Sequence, residues 1–555
     1  MTAEMMTGRG LHPMAPPLVD GLRRGELSRR EYLAAMMALG VTSAAAVSLG
    51  GLARAQTEQA PVTAPKQGGT LRIAMDSRDL KDPRLFDWSE MGNVARQSLE
   101  YLIRWERDYS FTPWLLESWE LNDTATEVVL NLRQGVTWSN GDAFTAEDVA
   151  FNLNRWCDKG VLGNSMAGRM ASLIDPDTGL ARDGAIQIVD DHTIRLVTGY
   201  PDITLIPGLA DYPAAIVHRS FDPEGDLLAQ INIGTGPYDI TRWEMGVGAA
   251  AAKRPTWWGE AVFGPALLDG IEWIDLGTDP SATVAALAAG EVDCNHQTLS
   301  DARDQMSSLG LALSEATTAA TIVCRFNVNV PPYDDQRVRN AMQAAVDNSV
   351  VLALGYDGAG EVAENHHVGP MHPEYFALPK PTRDVERAQA LLAEAGQTDH
   401  EFELISIDDL WRRNTTDAIA AQMRDAGMKV RRKVIPSANF WNDWAKYPLS
   451  TTNWNPRPLG VQVLALAYRS GEAWNETGYA NPAFDERLNQ AMGTVDVEAR
   501  RALMQEIQSI LQDSGVILQP YWRKVYRHAK PDVQGFPAHQ ALEQHLEKVW
   551  LDREG

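Results

Sequence analysis

The sequence predicts an α/β protein of several domains, on three observations. Strand-like and helix-like runs alternate in its C-terminal half. Glu401–Ile407 alternates as a strand, Asp417–Ala426 reads as a helix stopped by Gly427, and Met428–Ile435 reads as a strand stopped by Pro436. That β-α-β rhythm calls for a mixed, largely parallel sheet with helices on its faces. A length of 555 residues exceeds what one hydrophobic core organises. Hydrophobic residues at 44% and charged residues at 22% are the proportions of a folded globular chain, not of a disordered one.

Taken in order, the chain opens with Ser28-Arg29-Arg30-Glu31-Tyr32-Leu33, an apolar run from Ala34 to Leu52, and Ala53-Arg54-Ala55 as a cleavage pattern. Residues 1–55 resemble a twin-arginine signal peptide, with the mature chain starting near Gln56. Residues 56–66 (QTEQAPVTAPK) read as a disordered linker. Gly68–Ala74 opens the folded part as a strand, the segment from Asp76 to Glu90 is loop-like, and Asn93–Ile103 reads as a helix. Trp114–Leu121 and Glu127–Leu132 read as neighbouring strands. Ser139-Asn140-Gly141-Asp142 is a turn, and Thr145 caps a helix with Asp148 as its capping-box partner. Ile186–Val189 and Thr193–Val197 form a hairpin around Asp190-Asp191-His192.

Further on, Gly234-Thr235-Gly236-Pro237-Tyr238 is a turn, where the glycines supply backbone freedom. Ser281 caps a helix that Gly290 ends. Asp335 caps a helix burying Val338, Met342 and Val346, and Asp384–Ala395 is a helix with Gly396 beyond it. Asp496–Ser514 is amphipathic, with Leu503, Ile507, Ile510 and Leu511 inward.

The net charge of −24 repels nucleic-acid phosphate, so nucleic acid is excluded as a partner. Cys157, Cys294 and Cys324 form no CxxC pair. One disulfide with a free thiol, or three buried thiols, both fit.

Four stretches carry a family resemblance: LRQGVTWSNGDAFTAEDV from Leu132, GTGPY from Gly234, AALAAGEVD from Ala285, and NVNVPPYDDQRVRNAMQAAVD from Asn327. The chain resembles, over residues 68–540, the extracytoplasmic solute-binding proteins of ABC importers, the oligopeptide/dipeptide/nickel-binding family. The resemblance implies a two-lobed periplasmic binding protein fold of three domains with a hinge. Domain I would comprise 67–108, 233–320 and 515–555, domain II 109–232, and domain III 321–514. It also implies a periplasmic monomer that hands a small molecule to a membrane permease.

No GxGxxG after a strand, P-loop, GxSxG or HExxH occurs, so no catalytic residue and no cofactor is expected. His366, His367 and His372 are weak metal candidates, since their spacing converges only in an irregular loop. The stretch Asn453–Gly460 (NWNPRPLG) is more informative. Peptide-binding relatives usually place an aspartate there for a peptide's amine; here Asn455 and Arg457 stand in the loop. A guanidinium is a rigid fork of donors that suits a carboxylate, and it would oppose an ammonium. An internal salt bridge is the alternative role for Arg457. Trp454 and Trp474 are expected as flat walls, Asn455 and Asn475 as paired donors and acceptors, and Trp411 as a further aromatic contact. The expected function is capture of a peptide or peptide-like, carboxylate-bearing molecule for import. A nickel or metal-chelate carrier of the same fold, and an exported enzyme, are the alternatives.

Overall fold

The computed structural model describes residues 64–553, except 278, 299–301, 409, 442 and 473. The signal-peptide reading of residues 1–55 and most of the 56–66 linker lie outside the described residues. The described strands and helices belong to the compact unit Pro65–Gly555. Among the described residues no helix is long and apolar enough to cross a membrane.

Twelve of the described strands form one mixed sheet. Its main path runs Lys429–Ile435, Glu401–Ile407, Leu449–Trp454, Ala312–Phe326, Tyr521–Ala529, Cys294–Asn295, Thr70–Ala74, Gly270–Ile274, Gly248–Lys253 and Tyr238–Glu244. Parallel pairs join Thr70–Ala74 to its two neighbours, and Glu401–Ile407 to its own two. The remaining ladders are antiparallel. The parallel share is therefore smaller than the β-α-β rhythm suggests. Local helix crossovers make parallel pairs, whereas hairpins and the two long central strands make antiparallel ones.

Those two strands, Ala312–Phe326 and Tyr521–Ala529, join the lobes. The first strand's early half pairs with Ala529 down to Lys524, and its late half pairs with Leu449–Trp454. Between Thr317 and Thr321 the register shifts. There the Thr318 and Thr321 hydroxyls donate to the carbonyls of Arg523 and Tyr521, at 2.8 and 2.6 Å. An interrupted ladder of this kind bends where an unbroken one resists. On one side lies a core built from residues 71–294 with 529–551; on the other lie two cores built mostly from residues 322–526. Ala125 and Ile203 pack into the second side, and the Ile203 N–H donates to the Met492 carbonyl at 3.0 Å.

A separate antiparallel sheet of four strands, Leu116–Leu121, Glu127–Leu132, Thr193–Val197 and Ile186–Asp190, contains the predicted hairpin. The helix Ala146–Trp156 follows its turn with a capping box, the Thr145 N–H donating to Asp148 at 2.9 Å. Asp148 is buried because it also accepts from Trp138 Nε1 at 3.2 Å and from Arg219 at 3.0 Å.

Several boundaries depart from the sequence reading. The helix expected over Asn93–Ile103 is Ser89–Ala95, and Ile103 begins the strand Ile103–Trp105. The carbonyls of Gln97 and Ser98 are turned outward to accept the N–H groups of Tyr238 and Gly236, at 3.0 and 2.7 Å. That turn needs glycine for close approach, since a Cβ on Gly234 would lie 2.1 Å from the Ser98 oxygen. The helix placed after Ser281 starts at Pro280 with Asp279 as its cap, a favoured Asp–Pro start. The helix expected over Asp417–Ala426 spans Leu410–Asp425. The last long helix, Val497–Ser514, buries Met504, Ile507, Gln508 and Leu511, with Leu503 and Ile510 partly buried. Cys157, Cys294 and Cys324 are all buried free thiols.

Candidate ligand-binding cleft

The strand Leu449–Trp454 delivers the loop that the sequence singled out. Trp454 is buried, and its indole N–H donates to Glu476 at 2.9 Å. Glu476 also accepts from Thr452 at 2.6 Å and from Arg325 at 3.0 Å. Burial pushes the Glu476 carboxyl up, and Arg325 opposes that rise. Arg325 in turn donates to the carbonyls of Trp444 and Tyr447. Trp454 is therefore held rigidly by its polar edge and offers only ring surface. Trp444, Trp474 and His367 lie edge-on to it, with centroids at 6.4, 6.1 and 5.6 Å. Trp474 is 44% exposed, so this aromatic wall has an open end.

Arg457, three residues past Trp454, is 8% exposed. Its guanidinium donates to the carbonyl of Pro456 at 2.9 Å and more weakly to that of Asn455 at 3.5 Å. Burial holds its pKa down, and Asp211 of the other lobe partly offsets this. Asp211, however, is already paired with Arg169, which donates to it from Nε at 2.7 Å. Tyr212 lies over Arg169, with 5.8 Å from guanidinium to ring centroid. The local balance is thus two guanidiniums against one carboxylate, a net of +1 in a buried place. A buried charge without a counter-charge is costly, so this arrangement favours an anion over a cation.

The three loop histidines hold this loop and its surroundings. His372 Nε2 donates to the Arg457 carbonyl at 3.1 Å, and its Nδ1 accepts from the Gly369 N–H at 2.9 Å. His367 Nδ1 bonds the Tyr468 hydroxyl at 2.7 Å, and His366 Nε2 bonds Glu364 at 2.9 Å. Burial lowers His372 to about 4, which keeps it neutral.

The remaining expected residues divide. Asn455 is exposed beside Arg457. The Asn475 amide is taken up within its own turn, donating to the carbonyls of Arg469 and Tyr479 at 3.0 and 2.8 Å and accepting from Thr477 at 2.7 Å. Trp411 is 7% exposed, packed edge-on to Tyr356 and covered by Arg523 at 4.2 Å. The structure thus brings Trp454 and Trp474 together, leaves Asn455 exposed and Arg457 buried on the loop that follows, and gives Asn475 and Trp411 internal partners.

Sequence reasoning missed Arg169, Asp211 and Tyr212, because nothing local ties them to a loop so far along the chain. It also missed the group of potential metal ligands found among the described residues, His539, Glu543 and His545, whose ligand atoms lie within 4.8 Å of one another. Their spacing in HQALEQH was the available signal. Those atoms are already engaged. His539 bonds the Trp105 carbonyl at 2.9 Å and the Ala541 N–H at 3.1 Å, His545 bonds Glu543 at 2.7 Å, and Glu543 pairs with Arg96 at 3.1 Å.

Residues 110–476 match the family model described as bacterial extracellular solute-binding proteins, family 5 middle. The chain is 21% identical over 492 residues to the dipeptide-binding protein DppE of Bacillus subtilis (strain 168), covering 84% of this chain and 88% of that protein. Among solved structures, clavulanic acid biosynthesis oligopeptide binding protein 2 aligns with a TM-score of 0.77 at 22% identity, over 88% of this chain and 96% of the other. AgaA of A. tumefaciens R10, solved with agropinic acid, aligns with a TM-score of 0.73 at 20% identity, over 88% and 99%. The last two likenesses establish the fold.

Proposed function

The chain belongs to the bacterial extracellular solute-binding proteins of family 5, and on that premise we propose that it captures a peptide-like small molecule carrying a carboxylate and delivers it to an ABC importer. One observation carries the ligand chemistry: the buried net +1 formed by Arg457, Arg169 and Asp211, contributed from both lobes. A ligand carboxylate on Arg457 gains a strong charge-assisted contact and completes that balance only when the lobes are together. Trp454 and the exposed Trp474 form the wall along which the ligand's body lies, and Asn455 meets its polar edge. No bond is made or broken; function consists of capture, closure and docking. Closure pivots on the register shift between Thr317 and Thr321.

The names of relatives support a peptide-like ligand, DppE being a dipeptide-binding protein, while AgaA, solved with agropinic acid, keeps the class wider than peptides. The proposed domain limits are 67–108 with 233–320 and 515–555, then 109–232, then 321–514. The proposed setting is the periplasm, reached by the twin-arginine pathway, as a monomer that docks on a membrane permease. The test is native mass spectrometry of the protein as purified, with extraction of the bound molecule. A carboxylated solute is the expected result. A bound cation without a carboxylate would overturn the reading.

A further inference from the structure

A cavity of about 280 Å³ opens at the C-terminal ends of the strands Thr70–Ala74 and Gly270–Ile274. Met75, Met306, Asp76, Glu90, His296 and Gln297 line it. Two of its donors lack a partner: His296 Nε2 and Gln297 Nε2 are buried with no hydrogen bond. His296 is 6% exposed, and its Nε2 faces Glu90 Oε1 across 4.0 Å.

The proton on that ring can be placed. Trp273 Nε1 can only donate, and it donates to Gln544 Oε1 at 2.8 Å. This fixes the amide, so Gln544 Nε2 donates to His296 Nδ1 at 2.9 Å. Nδ1 is then an acceptor, and the ring's proton sits on Nε2, pointing at the cavity. Burial and the Arg527 charge lower His296 to about 3, so the ring is neutral. Opposite it lies Glu90 Oε1; burial pushes this carboxyl up, its other oxygen accepts from Ser89 at 3.2 Å, and in the ionised form Oε1 is an acceptor. Asp76 adds a second carboxylate, with Arg78 at 3.6 Å, and Asp279 a third, which accepts from the Ser281 N–H at 2.9 Å as a helix cap.

An ammonium would suit the three carboxylates but would meet the N–H of His296 donor to donor. A carboxylate would suit the N–H but would meet Glu90 like charge to like charge. A hydroxyl suits both, accepting from His296 and donating to Glu90. An oxygen about 2.8 Å from each atom, across their 4.0 Å gap, subtends roughly 90°, close to hydroxyl geometry. A short run of contacts leads from the cavity towards the carboxylate site. Glu90 lies on the helix Ser89–Ala95, just past Asp87, whose carbonyl accepts from Tyr212 at 3.2 Å, and Tyr212 feels the Arg457 charge.

We propose that this cavity binds a hydroxyl-bearing, uncharged part of the solute, so that the ligand class is a hydroxylated carboxylate. This rests on the carboxylate reading of Arg457. The test is isothermal titration with three chain-matched probes: D-gluconate, hexanoate and 6-aminohexanoate. The expected order is gluconate tighter than hexanoate by at least about tenfold, with 6-aminohexanoate no better than hexanoate. Glu90→Gln and, independently, Gln297→Met should each lower gluconate affinity by about fivefold and leave hexanoate within about twofold. The half-buried Gln297 makes its variant safe for folding. Equal binding of gluconate and hexanoate, a preference for 6-aminohexanoate, or no binding of any probe to about 10 mM would overturn the proposal. Arg457→Met separates the two readings. Probe binding that depends on Arg457 without a hydroxyl preference sinks only the cavity. A hydroxyl preference that survives Arg457→Met sinks only the carboxylate site.

Discussion

Replacing Arg457 by Met removes one guanidinium and nearly preserves the side chain's apolar length. In the free protein the variant loses the hydrogen bond to the Pro456 carbonyl at 2.9 Å, worth about 1 kcal/mol, and the weaker one to the Asn455 carbonyl at 3.5 Å. It also loses a buried charge whose desolvation already depresses its pKa, so the two effects oppose. Asp211 keeps its partner Arg169, so no carboxylate is orphaned. Folding stability should therefore move by no more than about 1 kcal/mol. The bound state differs. A ligand carboxylate drawn into the closed cleft would stand without its main counter-charge, which costs about 2–5 kcal/mol. At about 1.4 kcal/mol per tenfold, affinity falls roughly 30-fold to several-thousand-fold.

The assay is titration of wild type and variant with the ligand extracted from the protein and with its methyl ester. The ester lacks the charge, so its affinity should change by less than about threefold. Equal losses for acid and ester would show that Arg457 shapes the loop and does not pair with a charge. No loss for either would refute the site.

Three further outcomes concern buried groups. Glu476→Leu strands Arg325, which is fully buried, and should cost about 3–5 kcal/mol, whereas Glu476→Gln should cost less; equal denaturant midpoints for the two would contradict the Arg325–Glu476 account. His296 and His539 are lowered to about 3 and His372 to about 4, mainly by burial. Their folded values lie below the unfolded value near 6.5, so the stability they contribute is present above pH ~6.5 and is lost as pH falls towards their folded values, roughly 2 kcal/mol each between pH ~7 and ~5. Calorimetry should show Tm dropping across that window, and a flat Tm would refute it. Burial pushes the Cys157 and Cys324 thiols up to about 12, so a thiol reagent should count none in the native protein and three after unreduced denaturation; a count of one would mean a disulfide.

The scaffold was legible in local sequence alone. The Thr145–Asp148 capping box, the hairpin around Asp190–His192 and the Asp496-capped helix depend on neighbours within a few residues, and each formed where it was read. Boundaries failed where a distant partner intervened, as at Gln97 and Ser98, whose carbonyls serve the Gly234–Tyr238 turn and end a helix early. The loop around Arg457 was legible because an arginine stood where an acid was expected. Its meaning was not, since neither its burial nor its place near the Arg169–Asp211 pair follows from residues adjacent in the chain. Trp454 and Trp411 looked alike as letters, and only packing set one against the exposed Trp474 and the other beneath Arg523. The His296 N–H is the clearest case. Its direction passes through Gln544 and Trp273, residues far apart in the chain, because hydrogen bonds propagate through space and not along sequence.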